Sequence, residues 1–246
     1  MAFQMLLFRL SIILFSISGV YSVDFIIKNN CKVPIWPGAL TGAGNPISTT
    51  GFRLLPGSTT TATVDVSTTQ WSGRFWARTL CSMGANGKFA CATADCGSGQ
   101  ITCNGAGAIP PATLVEFTIA TNLGQDFFDI SLVDGFNLPV SVTPIGGSSG
   151  CQPVVCARSV NPVCPPELAV KSPRGLVIAC KSACMAFNTP EYCCSGDHNR
   201  PETCPPTNYS KIFKAQCPQA YSYAYDDKTS TFTCSGGANY AITFCP

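Results

Sequence analysis

The sequence predicts a mostly β protein, an antiparallel β-sandwich core with disulfide-rich loop lobes and one short helix. Three observations carry that reading. Charged residues make up only 11% of the chain while Gly and Pro number 22 and 19, a composition of short strands and many turns rather than long solvated helices. Apolar and polar residues alternate in several short runs, which is the period of a half-buried strand. Sixteen cysteines, an even number in tight clusters, point to an exported fold stapled by eight disulfides.

Residues 1–22 read as a removable export signal: one positive charge at Arg9, a mostly apolar run from Leu10 to Val20, then small residues ending at Ser22. The run falls short of the about 20 apolar residues that a bilayer span requires. From Val23 to Arg78 the text is strand and turn: Phe25-Ile26-Ile27, breaks at Pro34 and Pro37 around Trp36, then a Thr-rich strand from Thr59 to Val66. In Trp71 to Arg78 the period of two puts Arg74, Trp76 and Arg78 on one face, with Phe75 and Ala77 on the other. Arg78 is expected on a solvent face with its stem over Trp76.

Cys81 to Cys103 holds four cysteines in a Gly-rich stretch too small for its own core, a stapled excursion. Strands resume at Leu114–Ile119 and from Phe127. On the second of these, Phe128, Ile130 and Leu132 are expected to face the core and Asp129 to point away. Asp134-Gly135 reads as a turn, so Asp134 joins Asp129 only by lying past the strand end. From Cys151 to Cys217 nine cysteines crowd together, marking a second, disulfide-held lobe. Its one expected helix lies within Pro166–Ala186, centred on Gly175 to Ala186. Two strands close the chain after Tyr221–Asp227. The division expected is thus a signal at 1–22, a β-sandwich core from 23–78, 111–157 and 218–246, a small stapled lobe at 79–110, and a disulfide-rich lobe with a short helix at 158–217. The closing Thr243–Pro246 has neither anchor tail nor retention motif, and the expected location is secreted and extracellular.

The formal net charge is +2, of which Arg9 leaves with the signal, and the remaining Lys and Arg are scattered singly. That excludes a nucleic-acid partner, which calls for a basic stripe. No Lys or Arg occurs between Phe89 and Ala157, although Asp95, Glu116, Asp126, Asp129 and Asp134 do. Charge count leaves open whether these carboxylates share a site or are separately solvated. With one histidine, His198, and an oxidising destination, the clustered cysteines do not read as a zinc site, so no metal or cofactor is expected. His198 sits in a polar loop and does not suit a Ser-His-Asp triad. Gly42-Ala43-Gly44 lacks the third glycine and the strand-to-helix context of a dinucleotide motif. Asn208-Tyr209-Ser210 is an N-glycosylation sequon. Spacing alone does not yield the cysteine pairing. It does exclude a bond between neighbours Cys193 and Cys194, whose Cα atoms lie about 3.8 Å apart, below the usual disulfide range.

The run Gly87 to Cys96, followed by Cys103, resembles the signature of thaumatin-like proteins, a pathogenesis-related, osmotin-like family. Trp71–Arg78, Asp129–Asn137, Tyr192-Cys193-Cys194 and Ile242–Pro246 resemble the same family, so the likeness covers essentially the whole mature chain. It implies bridges of Cys31 with Cys245, Cys81 with Cys91, Cys96 with Cys103, Cys151 with Cys234, Cys156 with Cys217, Cys164 with Cys180, Cys184 with Cys193, and Cys194 with Cys204. It also implies an acidic cleft between the core and the disulfide-rich lobe, formed by Arg74, Glu116, Asp129, Asp134 and Asp227, with Asp226 as a competitor for the last place. Arg74 is expected to orient its carboxylate neighbours by charge-assisted hydrogen bonds.

Two chemistries suit such a cleft. Carboxylates accept hydrogen bonds from sugar hydroxyls and Phe127, Tyr223 or Tyr225 can stack on pyranose rings, so the resemblance implies a monomeric antifungal defence protein that binds β-1,3-glucan or another cell-wall polysaccharide. Alternatively two carboxyls hydrolyse the glucan as a weak endo-β-1,3-glucanase, with Glu116 as acid and Asp129 or Asp134 as nucleophile or base. A third reading is a rigid protein acting on a fungal membrane or on a protein target.

Overall fold

The computed structural model describes residues 21–246; the expected export signal, apart from Tyr21 and Ser22, lies outside the described residues. Strand β1 (Ser22–Asn29) alternates as its sequence demands, with Val23, Phe25, Ile27 and Asn29 buried and their neighbours turned out. It is the second strand of a five-stranded sheet ordered β3 (Thr59–Asp65), β1, β13 (Asn239–Phe244), β8 (Val140–Ile145), β9 (Val154–Cys156). The second sheet runs β12 (Phe232–Ser235), β7 (Gln125–Ser131), β6 (Leu114–Ile119), β4 (Trp71–Met83), β2 (Trp36–Ala43), and β5 (Phe89–Thr93) pairs with the far end of β4. The ladders between strands are antiparallel except for β1 with β13, which pair in parallel. That exception brings opposite ends of the chain side by side.

The inner faces of the two sheets meet in an aromatic core. Phe25 lies 4.7 Å from Phe75 and 4.9 Å from Phe117 between ring centroids, and Tyr240 lies 5.0 Å from Phe117. Burying rings of this size supplies the main driving force for closing the sandwich. One carboxylate of the basic-free stretch belongs to this core: Asp126 accepts a 2.6 Å hydrogen bond from the Tyr240 hydroxyl and a 2.8 Å bond from the Ala120 N–H.

Arg78 departs from its expected solvent face, since it is fully buried. Its guanidinium donates to the carbonyl oxygens of Trp36 at 3.0 Å, Pro37 at 3.3 Å and Ile101 at 2.5 Å, and lies over the Phe89 ring rather than on Trp76. The alternation is correct about the face. The face itself is covered by the stapled segment that carries Ile101.

The helix expected in Pro166–Ala186 is largely a hairpin of β10 (Ala169–Lys171) and β11 (Val177–Cys180). Ser172-Pro173-Arg174-Gly175 makes the turn: Gly175 donates to the Ser172 carbonyl at 2.9 Å and takes φ +80, a left-handed conformation that glycine adopts without strain. Only the end of the segment is helical, as α1 (Ala183–Phe187), which starts where the Ser182 hydroxyl accepts from the Met185 N–H. A short α2 (Pro190–Cys193) follows. The longer helix is α3 (Asn208–Gln216), capped by Thr207 accepting from the Ser210 N–H. A final turn, α4 (Asp227–Ser230), precedes β12.

The cysteines pair as Cys31–Cys245, Cys81–Cys91, Cys96–Cys103, Cys151–Cys234, Cys156–Cys217, Cys164–Cys180, Cys184–Cys193 and Cys194–Cys204. Adjacent Cys193 and Cys194 thus tie two different loops.

Candidate functional site

The face of the second sheet opposite the core carries a row of directly facing residues. Leu40 on β2 opposes Arg74 on β4, Arg74 opposes Glu116 on β6, and Glu116 opposes Asp129 on β7. The period of two makes this row follow from the core, because Phe75, Val115, Phe117, Phe128 and Ile130 point inward. Facing residues on adjacent antiparallel strands have Cβ atoms roughly 4.5–5.5 Å apart, so the fold holds Glu116 and Asp129 as neighbours.

Two further carboxylates come from outside the sheet. Asp134 sits in the turn after β7, past the strand end, and Asp227 opens α4. Together with Arg74, Glu116, Asp129 and Tyr221 they line one cavity of about 390 Å³. All five residues expected at the cleft are therefore placed around it. A second hollow of about 310 Å³ adjoins it and shares Arg74, Glu116 and Asp129; Leu40, Thr118 and Phe127 lie on its other side. Phe127 is 43% exposed, so its ring is open to a ligand. Tyr223 lines a different hollow, and Tyr225 lines neither part of the trough.

Asp226 and Asp227 divide sharply in role. Asp226 accepts from the Ser222 N–H at 2.9 Å and the Ser222 hydroxyl at 2.8 Å, and pairs with the Lys214 ammonium at 2.9 Å. Lys214 also donates to the Ala220 carbonyl and the Ser230 hydroxyl, each at 3.0 Å. This network fixes the segment that carries Tyr221 and Asp227 to the trough. Tyr221 then donates from its hydroxyl to Asp227 at 2.8 Å.

Burial dominates the electrostatics. The Asp129 carboxyl is pushed up to about 8 by loss of solvent, then by the nearby charges of Glu116 and Asp227, and its Oδ1 is buried without a hydrogen-bond partner. Glu116 is raised by burial, opposed by Arg74 and reinforced by Asp134. The expected charge-assisted bonds from Arg74 are not made: among the described residues the ion pair formed is Lys214 with Asp226, and Arg74 acts on Glu116 across a longer distance. Such a site offers one carboxyl that keeps its proton through neutral pH beside another whose charge an arginine favours.

Sequence reasoning did not find Leu40 or the Lys214 network. Leu40 was legible in principle, as the residue whose face on β2 meets the Arg74 face of β4. The network joins α3 to a loop, and neither strand nor helix periodicity reports such a contact.

The chain has counterparts along most of its length. It matches the thaumatin family over residues 29–246. Thaumatin-like protein 1 of Pyrus pyrifolia is 58% identical over 247 residues, covering 100% of each chain. A glucan endo-1,3-beta-glucosidase of Prunus avium is 58% identical over 238 residues, 96% of each chain, and pathogenesis-related protein 5 of Arabidopsis thaliana is 51% identical over 228 residues, 93% of this chain and 92% of that one. With the family match spanning most of the sequence and relatives more than half identical along nearly their full lengths, this chain belongs to the thaumatin family.

Proposed function

We propose that the trough binds β-1,3-glucan and that the protein is an exported, monomeric plant defence protein acting on fungal cell walls. The observation that carries this reading is the pair of adjoining hollows that share Arg74, Glu116 and Asp129 and present the exposed Phe127 ring on the same face. Carboxylates and a guanidinium supply acceptors and donors for sugar hydroxyls, and a phenyl ring packs against the C–H face of a pyranose. Eight disulfides are consistent with an oxidising, extracellular location. Retention on insoluble β-1,3-glucan tests it: the wild type is retained, Phe127→Ala and Glu116→Gln are retained less, and a wild type that washes through sinks the reading. Fungal growth inhibition without glucan retention supports action on a membrane or a protein target instead.

A second reading, hydrolysis of the same glucan, is favoured by the asymmetry of the facing carboxyls and by the name of the Prunus avium relative. It reverses the roles expected from sequence. Asp129, which holds its proton to about 8, is the acid, and Glu116, beside Arg74, is the base or nucleophile. Reducing-sugar release from soluble glucan that is lost in Asp129→Asn while retention persists supports the enzyme; no release by the wild type removes it.

A further inference from the structure

The disulfide-rich lobe contains a hollow of about 730 Å³, larger than either part of the trough and sharing no lining residue with it. One side is aromatic. Tyr192 of α2 and Tyr209 of α3 meet edge to face with ring centroids 5.7 Å apart, and Phe187 packs 5.3 Å from each. The Tyr209 hydroxyl donates to Glu167 at 2.8 Å, which holds that half-buried ring in place, and Glu191 and His198 add polar groups at the rim. Aromatic faces ringed by acceptors are the chemistry that receives a pyranose, apolar against its C–H face and polar toward its hydroxyls.

The lobe also holds an attachment point for such a sugar. Asn208 is exposed, lines the same hollow, and opens the sequon Asn208-Tyr209-Ser210. We propose that Asn208 carries an N-linked glycan whose first N-acetylhexosamine packs into this hollow against Tyr192 and Tyr209. The donor is a lipid-diphosphate-linked oligosaccharide met during export. The Asn208 Nδ2 forms a bond to the anomeric carbon, the bond from that carbon to the diphosphate oxygen breaks with the lipid diphosphate keeping the electron pair, and one amide proton is released. Transfer precedes closure of α3, because in the folded chain the Ser210 hydroxyl is buried and donates to the Thr207 carbonyl at 3.0 Å. The covered hollow then shields the loops around Cys194–Cys204.

The test uses the full chain purified from the medium of plant cells. Intact mass should fall on enzymatic release of N-glycans, with the Asn208 amide converted to a carboxylic acid in its peptide, and Asn208→Gln should be secreted without that mass. In the glycoprotein, the N-acetyl methyl resonance of the first sugar should be shifted upfield by ring currents, and Tyr192→Ala should return it toward the free-sugar position. A secreted chain with unmodified Asn208 overturns the site. A glycosylated wild type whose methyl resonance already sits at the free-sugar position overturns the packing.

Discussion

Asp129 is the residue at which the fold works against itself. In the unfolded chain its carboxyl ionises near 3.8, but in the folded chain only near 8, so between these values the folded state binds the extra proton and stability falls as pH rises. Well below 3.8 both states are protonated and the penalty vanishes; above about 8 both are ionised and it is complete. Asp129→Asn keeps the shape and removes the ionisation. Its denaturation midpoint should match the wild type at about pH 2.5 and exceed it near pH 9 by the equivalent of a few kcal/mol. A gap that does not widen with pH refutes the burial account of this group. At this scale the sequence was legible wherever one strand's period decided the outcome, as for Asp129 pointing away from Phe128 and Ile130. Arg78 shows the boundary: period names its face, and only tertiary structure says that Ile101 and Phe89 cover it.

Elements position the trough unequally. Its floor is strand register, which core packing enforces, whereas the wall bearing Tyr221 and Asp227 is a loop held by Lys214 of α3 through Asp226, Ala220 and Ser230. Lys214→Met leaves Asp226 without its cation and the Ala220 carbonyl without its donor, and should cost about 1–3 kcal/mol. The larger effect is expected on glucan retention, because Asp227 loses its fixed approach; the exposed Lys211→Met on the same helix should change neither. Equal retention in the two variants, measured with their denaturation midpoints, would show that the loop holds itself. The same local forces explain what was readable among the elements. Strands with a core face follow from alternation, whereas the apolar pattern of Pro166–Ala186 suggests a helix that Ser172-Pro173-Arg174-Gly175, turn chemistry inside that run, breaks into a hairpin. The α3 helix carries weaker signals: Thr207 caps it, and Ser210, Phe213 and Cys217 recur at helical spacing on its buried side.

Across the whole molecule, covalent closure and chain topology reinforce each other. Strands β1 and β13 pair in parallel, an arrangement no short turn can connect, and they come from opposite ends of the described chain. Cys31–Cys245 locks that pairing at a sequence separation of 214, while Cys96–Cys103 closes a separation of only 7. A cross-link removes freedom from the unfolded chain in proportion to the logarithm of the loop it closes, giving about 5 kcal/mol for the long loop against about 2.5 for the short one. Cys151–Cys234 and Cys156–Cys217, at separations of 83 and 61, lie between and tie β12 and the end of α3 back to the region of β9. Replacing Cys31 and Cys245 together by Ser should therefore lower the melting temperature more than the same replacement of Cys96 and Cys103. Cys96, Cys103 and Cys31 are buried and Cys245 is partly buried, so loss of packing is no greater in the long-loop variant and does not account for its lower melting temperature. A short-loop variant that melts at or below the long-loop one would mean that native packing around each bridge, and not restriction of the unfolded chain, sets the rigidity on which the trough depends.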